Sequence, residues 1–242
     1  MKSSYAVYQS LLEARQKQQE AAAAVPPSEA NAEQPPPAEP PTEAAPPEEP
    51  QPPQTPPEAI VPSLEPVEAA HQLRSTPTQV SPQDIPPMIQ ARGFHHPNDM
   101  SHVGLTGTIQ GDFTNAYEEQ TIEGDPVIVD RATGLIWQPS GSPDPLSWDQ
   151  AQEYVAQLNQ RQYAAYTDWR LPTVEELASL LEFEQQNGTY YLDPRFDATQ
   201  SHCWTSDPVA TSSTNAVWVV AFHSGHIFYD PVDRTNYVRA VR

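Results

Sequence analysis

Proline decides where this chain can fold. Of 29 prolines in 242 residues, 20 fall between Pro26 and Pro87. Proline lacks a backbone N–H and fixes φ, so a stretch this dense in it builds neither a helix interior nor a central strand. The same stretch contains no Phe, Trp or Tyr and has little with which to make a core. Val25 to Pro87 is therefore expected to be a disordered Pro/Glu-rich linker with polyproline II bias, extended further by its like charges. Fully extended at about 3.1 Å per residue, it would span on the order of 200 Å. Its PxxP-like repeats are unavoidable at this proline density and are not taken as a docking motif.

The linker divides the chain. Residues 1–24 are rich in helix formers from Leu11 onward, with Ser4 as a cap and Tyr5, Tyr8 and Leu12 on one stripe. A marginal solvated helix over 4–24 is expected; its sharper reading is a segment that docks the chain into a larger assembly. Residues 88–111 read as an irregular lead-in lying on the surface. The globular domain is assigned to 112–242.

Charge restricts the partners. The formal net charge is -20, and from Asp112 onward there are 7 Arg, no Lys and 19 acidic residues. Nucleic acids and anionic membranes are bound by clustered cations, and this chain has none to offer. A neutral or basic partner fits better. The N-terminus has no apolar core of the kind a secretory signal needs, and no run approaches the length of a membrane span. Taken alone, this predicts a chain made without a cleavable signal. The single cysteine, Cys203, excludes an intrachain disulfide and leaves the compartment open.

Within the domain the local signals are clear. Val127–Asp130 and Leu135–Gln138 read as strands joined by a tight turn in which Gly134 takes positive φ. Ser147 and Gln150 form a capping box for a helix with Ala151, Tyr154, Val155 and Leu158 on its apolar face. Tyr166 to Leu181 then holds a strand-turn-helix joint. Asp168, Trp169, Arg170 and Leu171 lead into Pro172, and Thr173 and Glu176 form a second capping box for a helix running to about Phe183. Cys203–Thr205 reads as a strand. Ala216–Phe222, apolar on both faces, reads as a covered central strand. His223–His226 is a turn, Ile227–Tyr229 a returning strand, and Asn236–Arg242 a closing strand. Two helices among strands that do not alternate regularly with them indicate an α+β fold with a mainly antiparallel sheet.

Four segments carry a family resemblance: Asp130-Arg131-Ala132-Thr133-Gly134-Leu135-Ile136-Trp137, Ser147-Trp148-Asp149-Gln150-Ala151, Thr167 through Leu177, and Tyr237-Val238-Arg239-Ala240-Val241-Arg242. In this order they resemble Lcl_C, the C-terminal domain of bacterial collagen-like surface proteins, catalogued as a domain of unknown function. The resemblance covers about Asp112 to Arg242. It implies a C-type-lectin-like fold related to sulfatase-modifying factors, a place at the cell surface or outside the cell, and adhesin-like binding of glycans by some members. Relatives commonly carry Cys where this chain has Ala240, which implies that Cys203 has lost a disulfide partner. The related oxidases use a pair of active-site thiols, so one cysteine argues against that enzyme activity.

Asp168, Trp169 and Arg170 are expected to be scaffold. The histidines, His202, His223 and His226 in the domain and His95, His96 and His102 before it, match no structural-zinc spacing. Asp193, Asp197, Asp207, Asp230 and Asp233 fall in loop-like stretches, where carboxylates sometimes gather around Ca²⁺; no EF-hand spacing exists, and no cofactor is expected. Tyr190, Trp204, Trp218, Tyr229, Asp207, Asp230 and Asp233 are the candidate ligand-binding surface. The expected function is a non-catalytic module on an acidic stalk that binds a glycan or a protein. The alternatives are an assembly subunit that docks through residues 4–24 and, third, an enzyme.

Overall fold

The computed structural model describes residues 69–210 and 215–242, which lie within one compact unit, Glu58–Arg242. The helix expected over 4–24 and the linker as far as residue 68 lie outside the described residues.

The fold is α+β. Strands β1 (Tyr117–Ile122), β2 (Asp125–Asp130) and β3 (Ile136–Trp137) form one antiparallel sheet in that order. Strands β4 (His202–Pro208), β5 (Ala216–Ala221) and β6 (His226–Pro231) form a second. Gly134 makes the β2–β3 turn at φ 75°, and its N–H donates to the Asp130 carbonyl at 2.7 Å. The Asp130 carboxylate fastens the same turn, accepting from Ala116 N, Ala132 N and Thr133 Oγ1. β1 went unread in the sequence because Glu118, Glu119 and Gln120 make it a polar edge strand with only Ile122 buried.

The segment expected to close the fold as a strand instead stitches the two sheets together by single bridges. Arg242 exchanges both backbone bonds with Ile136 of β3, and Tyr237 does so with β4 through His202 and Trp204. Val241 pairs in both directions with Arg170. Gly141 must be glycine for this to work, since a Cβ there would collide with the Val238 carbonyl.

Side chains alternate off this middle layer into two cores, as the period of two demands. Ile128, Trp137, Cys203, Trp218, Val220 and Val241 face one; Val129, Ile136, Trp204, Val217, Val219 and Ala240 face the other. β5, buried at every position, contributes to both and is the covered central strand expected. Cys203 and Ala240 face different cores, so they do not mark the two ends of a lost bridge.

The second core is closed by helix α2 (Trp148–Gln160; α1 is described below), whose Ser147–Gln150 capping box and buried Ala151, Val155 and Leu158 are as the spacing predicts. The first core is closed by helix α3 (Val174–Ala178) and by residues 69–111. α3 starts at the Thr173–Glu176 capping box but ends well before Phe183. The amides of Leu180 and Leu181 turn to Leu177 and Ala178 in tighter bonds, and Glu182 N leaves for Tyr191 O.

Residues 69–87 correct the expected end of the linker, and 88–111 are not a loose surface lead-in. Together they form a strap across the first core. Helix α1 (Ile85–Arg92) carries Pro86 and Pro87 in its first turn, where no N–H is needed, and ends at Gly93 at φ 66°. Leu73, Val80, Ile85, Ile89, Phe94, Met100, Val103 and Leu105 are buried beneath the strap. Proline density hid Leu73, Val80 and Ile85, and irregular spacing hid the rest; each is worth about 1.5–3 kcal/mol when fully buried.

A piece limited to residues 112–242 should therefore lose the cooperative thermal unfolding of the full chain and bind a hydrophobic dye. An unchanged, cooperative melt for that piece would show the strap to be dispensable.

Candidate functional site

The joint between α2 and α3 is scaffold. The Trp169 ring is buried, and its indole N–H donates to Tyr163 O at 2.8 Å. The Asn159 side chain clamps the Trp169 backbone from both sides. Arg170 makes a bidentate pair with the buried Glu176 at 2.7 and 2.6 Å, and Asp168 pairs with the terminal Arg242. These partners satisfy every charge of the motif and leave none for a ligand.

The expected ligand surface is largely corrected. Trp204 and Trp218 are fully buried; their indole nitrogens donate to Leu146 O at 2.7 Å and to Val80 O at 2.9 Å. Asp207 is also fully buried. The register between β4 and β5 slips after Trp204, so Thr205, Ser206 and Asp207 sit opposite Trp218 alone. This bulge turns Asp207 towards the strap. Its carboxylate accepts from Arg74 Nη1 and Nη2 at 2.8 and 2.7 Å, from Thr78 N at 2.9 Å and from Val174 N at 2.7 Å. Asp207 and Trp218 thus meet the chain's own strap and are not part of an open surface. Tyr229 packs edge-on against Trp218 with centroids 5.4 Å apart, and Tyr190 lies 6.5 Å from the His223 ring. Both are half-buried. Asp230 accepts from Asn236 at 3.1 Å, and burial raises its carboxyl above the ordinary value. Asp233 is exposed.

The loop aspartates do not converge. Asp193 holds Arg195 and Asp197 caps Thr199 N, while Asp207 and Asp230 serve the partners above. The His202 and His223 rings lie tilted against each other with centroids 4.2 Å apart, but His226 Nε2 lies 3.1 Å from Asp99 O. Among the described residues no three His, Cys, Asp or Glu side chains are placed to hold a metal ion. Cys203 is buried, and burial pushes its thiol up to about 12, far from the reactive range.

A concave site among the described residues lies elsewhere. A cleft of about 640 Å³ opens between the end of the strap, the start of β1 and the loop after α3. Its lining includes His95, Asn115, Tyr117, Glu182, Asp193 and Arg195, with Glu118 and Arg131. Tyr117 is braced by an edge-to-face contact with Phe196 at 5.2 Å. Phe196 lies under the Arg239 guanidinium at 4.9 Å. Arg239 is fully buried and donates to the carbonyls of Gln138, Pro139 and Asp197. The cleft wall therefore rests on the C-terminal segment. Asn115 Nδ2 donates to Ser179 O at 2.8 Å, while its Oδ1, the Tyr117 hydroxyl and His95 Nδ1 are buried without a hydrogen-bond partner among the described residues.

The electrostatics of the cleft are uneven. Arg131 is engaged by Glu118 and Arg195 by Asp193. Glu182 is half-buried, and among the described residues no Lys or Arg side chain pairs with it. Burial first, and then the neighbouring Asp193 charge, raise its carboxyl above the ordinary value. Burial lowers His95, so its ring is neutral at pH 7. Burial, with Asp130, Glu182 and Asp193, pushes the Tyr117 phenol well up, which keeps it a donor. Sequence reasoning missed these residues because they come from separate segments. The one local signal was the absence of a cation near Glu182.

Residues 126–242 match the Lcl C-terminal domain. This chain carries an Lcl C-terminal domain. The match confirms the resemblance read from the four segments. It begins inside β2, so the strap, β1 and most of the cleft lie ahead of the Lcl C-terminal domain, although they pack against it. No curated protein matches the chain. Among the described residues no helix is long and apolar enough to cross a membrane.

Two substitutions separate scaffold from site. Asp207→Ala should cost about 3 kcal/mol in denaturant unfolding, because it leaves Arg74 and two amides without their acceptor; a loss under about 1 kcal/mol would refute the hub. Glu182 behaves in the opposite way. Its carboxyl is raised in the fold, so its contribution is favourable below the unfolded value of about 4.3 and is lost as pH rises through the folded one. Glu182→Gln should therefore melt higher than the native protein at pH 7, with the difference vanishing near pH 4.

Proposed function

We propose that this protein is a non-catalytic ligand-binding module of the surface-associated, adhesin-like kind, carried on the acidic stalk expected from the composition. Its ligand is a glycan or a protein, and the binding site is the cleft beside β1. The observation that carries this reading is a cleft of about 640 Å³ whose lining residues hold three buried polar atoms, His95 Nδ1, Asn115 Oδ1 and the Tyr117 hydroxyl, that have no partner among the described residues. Buried polar groups are normally satisfied, and a concave site with a few convergent unsatisfied groups is the usual form of a small-ligand site.

The absence of catalysis is part of the proposal. Cys203 is buried beside Arg239 with its thiol held protonated, which does not suit the thiol chemistry of the enzymes that the fold resemblance brings in. A lectin-like architecture fits the two antiparallel sheets and the long loops between α3 and β4.

The test is an array of glycans probed with the full chain, with and without Ca²⁺. Binding that disappears in a Tyr117→Phe, Asn115→Ala double variant is expected, and it should not depend on Ca²⁺. No binding under either condition, with no protein ligand captured through the same cleft, would remove the reading.

A further inference from the structure

We propose that the cleft selects a ligand bearing a protonated amine next to a hydroxyl, as on an amino sugar residue. This inference rests on the reading of the cleft as a glycan site.

The groups in the cleft are unbalanced in a way that names their complement. Asn115 Oδ1 is a buried acceptor without a donor among the described residues. Among the described residues the Glu182 carboxylate receives one side-chain bond, from Gln186 Nε2 at 3.0 Å, and no Lys or Arg side chain pairs with it. Asp193 lies near enough to raise it further. The Tyr117 hydroxyl and His95 Nδ1, the latter a donor or an acceptor according to tautomer, are likewise buried without a partner among the described residues, and one negative charge, on Glu182, is uncompensated. The two arginines at the cleft do not correct this, because their guanidinium groups are already held by Glu118 and Asp193.

An ammonium group supplies three donors, one positive charge and no acceptor. It answers both Asn115 Oδ1 and Glu182, and a charge-assisted bond to Glu182 is stronger than a neutral one. The Tyr117 hydroxyl then asks for the reverse, an acceptor, which an adjacent sugar hydroxyl provides. An anionic ligand would meet an uncompensated carboxylate and no free guanidinium. A neutral sugar would satisfy the hydrogen bonds but not the charge. The cleft volume falls within the range of about 300–1,000 Å³ usual for small-molecule sites. The wider domain agrees, since it has no Lys and 19 acidic residues from Asp112 onward.

The same carboxylate explains why the site carries its cost. Holding Glu182 unpaired and half-buried disfavours its charged form, and a bound cation reverses that penalty. Binding should weaken as pH falls through the raised Glu182 value, because the protonated carboxyl no longer pairs with the amine.

The test is calorimetric titration of the full chain at pH 6.5 with glucosamine, glucose, N-acetylglucosamine and lysine amide. Glucosamine should bind at least about tenfold more tightly than glucose or N-acetylglucosamine, as one added charge-assisted bond implies. Glu182→Gln should abolish that preference while the protein still melts cooperatively. Tyr117→Phe should weaken glucosamine and glucose alike. Equal affinity for the three sugars, or a preference that survives Glu182→Gln, would overturn the proposal. Binding of lysine amide without glucosamine would place the amine on a protein and overturn the sugar assignment. No binding of any probe alongside a positive glycan array would overturn the amine inference and leave the binding-module reading standing; silence in both would remove both.

Discussion

Asp207 is the interaction on which the arrangement of this protein depends. One buried carboxylate accepts from Arg74 and Thr78 of the strap and from Val174 at the start of α3, and it belongs to β4. A buried carboxylate is costly unless its charge and lone pairs are met. Here they are met by two other parts of the chain at once, so the strap, α3 and β4 assemble together or not at all. Glu175, the second residue of α3, extends the contact by pairing with Arg74 and Arg92. The strap is thus bound electrostatically at one side and by apolar burial of Ile85, Ile89 and Phe94 beneath it. The folded unit is longer than the Lcl C-terminal domain it contains.

The C-terminal segment is the second constraint, and it connects scaffold to site. Arg239 places a guanidinium in the interior and surrounds it with carbonyls. It also supports Phe196, which supports Tyr117 in the cleft. Tyr117, Asn115 and Glu182 are therefore held by elements that are themselves fixed, as a preorganised binding site requires. Glu182 is the one member whose electrostatics oppose the fold, and that is the usual mark of a residue kept for function.

How much was legible in the sequence depended on how local the cause was. Both capping boxes, the Gly134 turn and the doubly buried run of β5 depend on residues a few positions apart, and the structure has them where they were read. The helix of α3 was read too long, because Leu180 and Leu181 keep helical spacing while their amides bond in tighter turns. Asp207, Trp204 and Trp218 looked like ligand contacts because carboxylates and indoles serve that purpose on loops. Their partners lie far off in sequence, with Arg74 133 positions from Asp207, and no local pattern announces them. The strap was hidden because its prolines resemble those of the linker. Yet Leu73, Arg74, Val80 and Ile85 mark a shift in composition after Ala69 that the proline count conceals. The cleft was illegible for the same reason as the hub, since it is made where separate segments meet.

The central claim is that the cleft beside β1, rather than the β5–β6 side of the domain, is where this protein meets its ligand. An amide-resolved NMR titration of the full chain with glucosamine tests it most directly. The account predicts saturable shifts centred on Asn115, Tyr117, Glu182 and Arg195. Shifts centred instead on Tyr229, Asp230 and Asp233, with the cleft silent, would contradict it.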